Sequence, residues 1–348
     1  MASWYALPVS IMYFAFGIFS TIIALQHYKD QKLRECSIND FLMACIYYFC
    51  CFVFPFMYST TNISSTWEDM FFLLADIVLY GFLIFLMGYI VREILRARKN
   101  PALKEERSYK RLIEKNAGFA MDPRRDALRK LLHLIPVGVI LIIYFMSILL
   151  ESSLPAGMSR MGFAYFAIVT IGYAFVAMFM LAETLRLINY NKLFWLTPDW
   201  AHKWFASSLK ESEAQALISS IPVVLCLMPF LFGPFTVFVA VALVESLADA
   251  TASLIGKRFG KHKIPACSHK SWEGLIAGCL VAFAMTLLGF VIVPWPAVPW
   301  LLVIILGIGN ALVFAAIDVF SKRIMDNILN PLLVGAFMIL FLAILNIL

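Results

Sequence analysis

Long apolar runs alternate with short polar segments along most of the chain. Ten of these runs contain few charges and have about the length of a helix that spans a bilayer, roughly 20 residues. They lie at about 6–26, 41–58, 70–91, 131–150, 163–185, 216–233, 235–255, 274–293, 301–320 and 331–348. With 62% apolar side chains over 348 residues, the sequence predicts an all-α polytopic membrane protein with about ten transmembrane helices.

The basic residues test this number of spans, because cytoplasmic loops of membrane proteins are enriched in Lys and Arg. If the N-terminus lies on the non-cytoplasmic side, Arg160 alone among the 28 Lys and Arg residues falls outside the cytoplasmic side. We therefore predict that both termini are non-cytoplasmic. The net charge of +6 then reflects the cytoplasmic face and not a nucleic-acid partner.

The longest polar segment divides the chain. It covers residues 92–125 and mixes charges of both signs with Pro101, Gly118 and Pro123, which is typical of a solvated linker. We predict an N-terminal three-helix membrane segment at 1–91, a charged cytoplasmic linker at 92–125 and a seven-helix membrane domain at 126–348.

A second charged segment, at 245–274, lies between two predicted spans. Glu245 and Asp249 are four residues apart and therefore share a helix face. They precede a run of cationic and histidine residues: Lys257, Arg258, Lys261, His262, Lys263, His269 and Lys270. A loop can be basic merely because it is cytoplasmic. A carboxylate buried in a membrane, however, is costly without a partner, and acids followed by cations suit a metal-chelated polyphosphate.

Two other clusters are predicted on the same side of the membrane. Arg129, Lys130 and His133 lie at the start of the fourth span, and Asp318 lies near the end of the ninth. Asp318 is followed by Lys322, Arg323, Asp326 and Asn327. Because Asp318 and Asp249 both come shortly before a basic segment, we expect the two carboxylates to converge at a similar depth. Glu183 and Arg186 have the spacing of an ordinary ion pair at a helix end.

Four motifs occur in order along the chain: R-K-x-x-H at 129–133, D-A-x-A-S-x-x-G-K-R-F-G-K-H-K at 249–263, K-S-W-E-G at 270–274 and D-N-x-x-x-P at 326–331. Together they resemble the motifs of the CTP-dependent lipid kinases, a family that includes dolichol kinase, phytol and farnesol kinases and fungal-type diacylglycerol kinase. The resemblance covers about residues 125–348, and it implies that the seven-helix domain is catalytic. It also implies that CTP donates its γ-phosphate to the hydroxyl of a membrane lipid alcohol: a polyprenol or dolichol, phytol or farnesol, or diacylglycerol.

This reading gives the charged residues roles in phosphoryl transfer, which needs positioning and charge neutralisation. Asp249, assisted by Asp318, would hold Mg²⁺ against the β- and γ-phosphates of CTP, and His133 or Glu245 would accept the alcohol proton. Arg129 and Lys130 would stabilise the transferred group, Glu273 would orient Lys270, and Gly256 and Gly260 would let the backbone approach phosphate. The nucleotide would further be bound by Lys257, Arg258, Lys261, Lys263, Lys270, Lys322, Arg323, Asp326 and Asn327.

Some features depart from the kinase pattern. Ala248 stands where the family usually has Gly, and the segment 268–274 is similar to the S-P-K-K-T-W-E-G run of phosphatidate cytidylyltransferases. The segment 321–323 also resembles that second family, but its K-D and H-G-G-x-x-D-R elements are absent. The alternative function is therefore that of a CDP-lipid synthase.

A third, non-enzymatic alternative is a transporter of an anionic solute. The absence of paired broken helices and of an internal repeat disfavours a transporter. For either enzyme we expect a multi-pass protein with a cytoplasmic active site, in the endoplasmic reticulum of a eukaryote or the inner membrane of a bacterium. Its partners would be the bilayer, CTP and the lipid.

Overall fold

The computed structural model describes residues 3–31, 33–61, 63–115, 132–187, 193–208, 217, 220–265, 267–321 and 323–347. Its helices are α1 Leu7–Lys29, α2 Cys36–Val53, α3 Ser65–Lys99, α4 Ala102–Glu106, α5 Tyr109–Lys115, α6 Leu134–Leu149, α7 Arg160–Leu187, α8 Asp199–Ser208, α9 Ser220–Leu225, α10 Phe235–Phe259, α11 Trp272–Ile292, α12 Trp300–Phe320 and α13 Asp326–Ile344. The strands are β1 Lys263–Ile264 and β2 Cys267–Ser271, and short 3₁₀ helices cover Trp4–Ala6, Phe54–Phe56, Glu151–Ser153, Phe194–Leu196 and Met228–Phe232.

The prediction of an all-α polytopic membrane protein is confirmed. Within the described ranges, eight helices are long and apolar enough to cross a membrane, namely α1, α2, α3, α7, α10, α11, α12 and α13. Two of the ten predicted spans, at 131–150 and 216–233, correspond to the shorter apolar helices Leu134–Leu149 and Ile221–Phe232. The hairpin β1–β2 was not predicted. It pairs antiparallel, with Lys263 opposite Ser271.

Contacts divide the chain into two compact units. One contains Met1–Arg129 and Glu151–Ile221, and the other contains Lys130–Leu150 and Pro222–Leu348. The predicted three-part division, at 1–91, 92–125 and 126–348, stays a prediction.

The first unit has an aromatic core. The ring of Phe54 contacts Tyr13, Phe72 and Tyr173, which come from α1, α3 and α7. At the C-terminal end of α7, Arg186 and Glu183 form the predicted i,i+3 pair, with Nη2 and Oε2 2.5 Å apart and both side chains buried. A buried pair costs more to break than to keep, because each charge would otherwise lack a partner.

The second unit is organised around α10. This helix contacts α6, α11 and α13, and α12 contacts α11 and α13. The helices α10, α11, α12 and α13 therefore form a closed ring of four neighbours. Small residues allow close approach within this ring: a Cβ added at Gly289 on α11 would lie 2.7 Å from the Cβ of Ala240 on α10. Because α10 has neighbours on several sides, its first two-thirds are almost wholly buried.

Candidate functional site

Glu245 and Asp249 lie on the buried part of α10, as the sequence pattern predicts. Their side chains are 2% and 6% exposed. Ala248 and Ala252, which flank Asp249, are buried as well. The two acids are therefore covered by neighbouring elements and do not lie on a lipid-facing surface. A membrane protein can hold a carboxylate in such a buried position.

The C-terminal part of α10 and the N-terminal part of α11 pack closely next to the hairpin that connects them. A Cβ added at Gly274 would lie 2.6 Å from the carbonyl oxygen of Ala252 and 2.9 Å from Cα of Gly256. One added at Gly256 would lie 3.2 Å from Oγ of Ser271, and one added at Gly260 would overlap the same hydroxyl. Gly260 is therefore needed for packing against the start of α11, and Gly256 packs tightly against it. The predicted approach of both glycines to phosphate stays a prediction.

Ser271 joins the hairpin to α11. Its backbone is extended, with φ −127° and ψ 152°, and its Oγ accepts a hydrogen bond from the backbone N–H of Gly274. This is the geometry of a helix N-cap. Because the extended Ser271 separates Lys270 on β2 from Glu273 on α11, the two flanking side chains have different partners.

Glu273 binds the loop before β1. Its Oε1 lies 2.7 Å from Nδ1 of His262 and accepts hydrogen bonds from the backbone N–H groups of Lys261 and His262, both at 3.2 Å. The predicted orientation of Lys270 by Glu273 is therefore wrong for this structure. Glu273 instead fixes the basic loop to the N-terminus of α11, where a negative charge is favourable.

Lys270 binds the end of α12. Its Nζ lies 2.5 Å from Oδ1 of Asp318 and donates a hydrogen bond to the carbonyl oxygen of the same residue at 2.7 Å. A cation that contacts the last carbonyls of a helix is also favoured by the helix dipole. Lys270 and Asp318 therefore form one charged pair at the hairpin end, by which we mean the end of α10, α11 and α12 nearest to β1–β2.

Asp249 and Asp318 belong to positions about two helical turns apart along the bundle, and the expected convergence of their carboxylates stays a prediction. A Cβ added at Gly278 on α11 would lie 2.9 Å from Cβ of Ala252 and 2.5 Å from the ring of Phe314, so these two residues share a level. Asp249 precedes Ala252 by three residues, whereas Asp318 follows Phe314 by four. Since α10 and α12 both run antiparallel to α11, helical rise separates the two acids by about 10 Å along the axes.

The other predicted site residues lie around this core. His133, immediately before α6, is buried. The side chains of Lys257, Arg258, Lys261, Lys263 and Arg323 are exposed, that of Asp326 is half-buried and that of Asn327 is buried. Arg129, Lys130 and Lys322 lie outside the described residues.

Sequence reasoning missed three contacts within the second unit. Ser271 was visible as a helix N-cap, because a serine stands directly before the apolar run that becomes α11. His262 was within the basic run but its pairing with Glu273 depends on the hairpin. A hydrogen bond between Thr286 and Asn310 had no sequence signal, because it depends on how α11 and α12 are aligned.

The donor set suits a metal ion that takes ligands from its substrate. Among the described residues, no group of three or more His, Cys, Asp and Glu side chains could hold a metal ion. Mg²⁺ is commonly bound by one or two carboxylates together with substrate phosphates. Asp249 fits that role, since it supplies one buried carboxylate about two helical turns from the cationic hairpin end.

Comparison with known proteins places this chain in a family. A model described as the Cytidylyltransferase family matches residues 69–345. Neither the curated proteins nor the solved structures gave a match. The match begins in α3, covers all of the second unit's helices from α6 to the end of α13, and contains every candidate site residue. The family is enzymatic and uses CTP. With about four-fifths of its length matched, the chain belongs to the Cytidylyltransferase family.

Proposed function

We propose that this protein is a CTP-dependent kinase that phosphorylates the hydroxyl of a membrane lipid alcohol. Family membership supports a transferase that uses CTP. The two candidate reactions differ in which phosphate of CTP is attacked, and the positions of the charged residues favour one of them.

The observation that carries the proposal is the difference in depth between the cations and the buried acids. Lys270 and the exposed basic residues lie at the hairpin end, whereas Asp249 lies about 10 Å further along the helices. A triphosphate bound by the cations would direct its last phosphate towards Asp249. A neutral hydroxyl reaches that depth at a lower cost than the phosphate of phosphatidate, which would add a second anionic group beside the phosphates of CTP. The geometry therefore favours γ-phosphoryl transfer to an alcohol.

Asp249 would hold Mg²⁺ together with phosphate oxygens, and the ion would neutralise charge on the β- and γ-phosphates. The offset between Asp249 and Asp318 argues against both carboxylates binding the same ion directly. We propose instead that Asp318 positions Lys270, whose ammonium group neutralises the nucleotide.

The proton of the alcohol requires an acceptor close to Asp249. Tyr144 on α6 packs against Phe235 at the start of α10, with ring centroids 5.5 Å apart. His133 precedes Tyr144 by eleven residues, and Ser246 follows Phe235 by eleven. The predicted topology has α6 and α10 running in opposite directions, which would bring His133 to the level of Ser246 and of its neighbour Glu245. This supports both His133 and Glu245 as candidates for the general base.

The family description itself favours a second candidate. A cytidylyltransferase that makes a CDP-lipid would use the same acids and cations, but the phosphate of phosphatidate would attack the α-phosphate of CTP and release pyrophosphate. The absence of the K-D and H-G-G-x-x-D-R elements from the sequence disfavours it.

Label transfer separates the two candidates. Purified protein is incubated with Mg²⁺, a panel of prenols, diacylglycerol and phosphatidate, and CTP labelled at either the α- or the γ-phosphate. We expect label to reach an alcohol from the γ position only, and Asp249→Asn to reduce this transfer at least a hundredfold, as loss of a charge-stabilising group does. Label that reaches phosphatidate from the α position, with release of pyrophosphate, would establish the CDP-lipid synthase instead.

A further inference from the structure

The ring of four helices contains a buried amide that the proposed reaction does not yet use. Asn310 on α12 is fully buried. Its Nδ2 donates a hydrogen bond to Oγ1 of Thr286 on α11 at 3.0 Å. Its Oδ1 has no hydrogen-bond partner in the part of the chain that the structure describes. A buried acceptor without a donor is unfavourable, so this oxygen indicates a missing partner.

The neighbouring hydroxyl fixes which way the amide faces. Oγ1 of Thr286 donates to the carbonyl oxygen of Ala282 at 2.9 Å, and a hydroxyl has only one proton to donate. Towards Asn310 it can therefore only accept, which requires the NH₂ group of the amide to face it. The atom left over is the carbonyl oxygen, which requires a hydrogen-bond donor.

Apolar side chains pack against this part of α12. A Cβ added at Gly307 would touch Leu287 and Phe283, and one added at Gly309 would touch the ring of Phe337. A buried water usually needs two to four polar partners, whereas an amphiphile with one hydroxyl on an apolar chain needs one.

Asn310 also lies at the right level. It precedes Phe314 by about one turn, as Asp249 precedes Ala252, and Phe314 and Ala252 share the level of Gly278. Asn310 and Asp249 therefore lie within about one turn of the same height. The cationic hairpin end lies on one side of this level and the membrane interior on the other, so phosphate and lipid would meet there from opposite directions.

We propose that Oδ1 of Asn310 accepts a hydrogen bond from the hydroxyl of the lipid alcohol and selects an alcohol over an acceptor-only lipid. This inference rests on the proposed kinase function and deepens it. The ester carbonyls and the doubly ionised phosphate of phosphatidate offer no donor, so they leave the amide oxygen unsatisfied. The hydrogen bond to Asn310 holds the alcohol as it binds, and because the hydroxyl has one proton, it must turn from Asn310 before transfer. In the reaction the proton then passes to His133 or Glu245, the hydroxyl oxygen forms a bond to the γ-phosphorus, and the bond from that phosphorus to CDP breaks.

Binding without CTP tests the proposal independently of turnover. The affinities of the purified full-length protein for a C20 prenol and for dioleoylglycerol are compared with those for the corresponding methyl ethers, which keep the oxygen and lose the donor. We expect wild-type protein to prefer at least one alcohol over its ether by about threefold to tenfold, the value of one neutral hydrogen bond. Asn310→Leu, which keeps the size and removes the acceptor, should bind that alcohol and its ether equally.

Two further variants keep the result interpretable. Thr286→Val retains the shape of the side chain but releases the amide, so the preference should fall without disappearing. Asn330→Leu removes another buried amide with an unpartnered Oδ1, on α13, and should leave the preference unchanged. The inference is overturned if wild-type protein prefers neither alcohol, or if Asn310→Leu retains the preference.

Failure of the inference can be distinguished from failure of the proposed function. If γ-phosphate reaches an alcohol but Asn310→Leu still prefers the alcohol over its ether, the kinase activity is supported and the role of Asn310 is refuted. If wild-type protein prefers the alcohol, Asn310→Leu does not, and only the α-phosphate of CTP is transferred, the hydroxyl site is supported and the kinase activity is refuted. In an active kinase, Asn310→Leu should raise the KM for the alcohol about tenfold and leave the KM for CTP unchanged.

Discussion

Lys270 makes two contacts with one residue, and this explains why its charge is fixed in place. Its ammonium group contacts both the carboxylate and the carbonyl oxygen of Asp318. The carboxylate offsets the repulsion between Lys270 and the other cations of the hairpin end, while the carbonyl contact ties β2 to the end of α12. A bound nucleotide would therefore meet a cation that is already positioned, which reduces the entropy lost on binding.

At the residue scale, the offset between the two acids predicts different responses to Mg²⁺. Asp249→Asn should raise the Mg²⁺ concentration that gives half-maximal activity, because an amide is a weaker ligand than a carboxylate. Asp318→Asn should leave this concentration unchanged and raise the KM for CTP about tenfold, because Lys270 loses its charged partner. Both values come from initial rates measured over a range of Mg²⁺ and CTP concentrations.

The matched variant for this comparison is Lys270→Met, which removes the cation and keeps an unbranched side chain. It should raise the KM for CTP as Asp318→Asn does, and combining the two changes should add little, because both disrupt one interaction. A parallel rise in the Mg²⁺ requirement of Asp318→Asn and Asp249→Asn would show that both acids bind the ion, and would restore the convergence expected from sequence.

At the scale of elements, the crossing of α10 and α11 sets the position of the basic loop. Gly274 meets α10 backbone directly, and the loop after α10 is fixed to the first turn of α11 through Glu273. The hairpin therefore depends on two helices whose separation leaves no room for a side chain. This gives the K-S-W-E-G motif a structural meaning: a cation for Asp318, an N-cap, a loop anchor and a packing glycine.

Gly274→Ala should consequently destabilise the protein by about 1–3 kcal/mol, the usual cost of overpacking. The new Cβ would lie 2.6 Å from the carbonyl oxygen of Ala252, and a helix backbone moves less readily than a side chain. Thermal unfolding of the detergent-solubilised protein measures the effect.

Gly138→Ala is the matched control, since a Cβ added at Gly138 on α6 meets nothing within 4 Å. It should be neutral or stabilising by up to about 1 kcal/mol, because alanine favours a helix more than glycine does. Equal unfolding temperatures for the Gly138 and Gly274 variants would contradict the close crossing.

The spans and the candidate residues could be predicted from sequence because they depend on local composition. Apolar length identifies a spanning helix, and the spacing of Glu245 and Asp249 assigns them to one face. Partners could not be predicted, because they depend on the alignment of helices. Asp249 and Asp318 each precede a basic segment, but the register at Gly278 places them about two turns apart. Glu273 is close to Lys270 in sequence, yet the extended Ser271 directs it to His262.

At the scale of the whole molecule, the distribution of Lys and Arg predicts that the hairpin end faces the cytoplasm, where CTP is available. The turn at 150–159, between the predicted fourth and fifth spans, should face the opposite side. Lys263 and Ser152 are both exposed, so each can report on its side as a single cysteine introduced after the seven native cysteines are replaced.

We expect Lys263→Cys to react with a membrane-impermeant maleimide only after cells are permeabilised, and Ser152→Cys to react in intact cells when the chain resides in a membrane that the reagent can reach from outside. For an internal membrane, sealed vesicles with the cytoplasmic side outward should give the reverse pattern. The two positions act as mutual controls, because each shows that the other's lack of labelling is not a failure of the reagent. Labelling of both positions from one side would contradict the predicted number of spans between them. Labelling of Lys263→Cys from the non-cytoplasmic side would place the cationic hairpin end away from CTP, and would refute the proposed kinase.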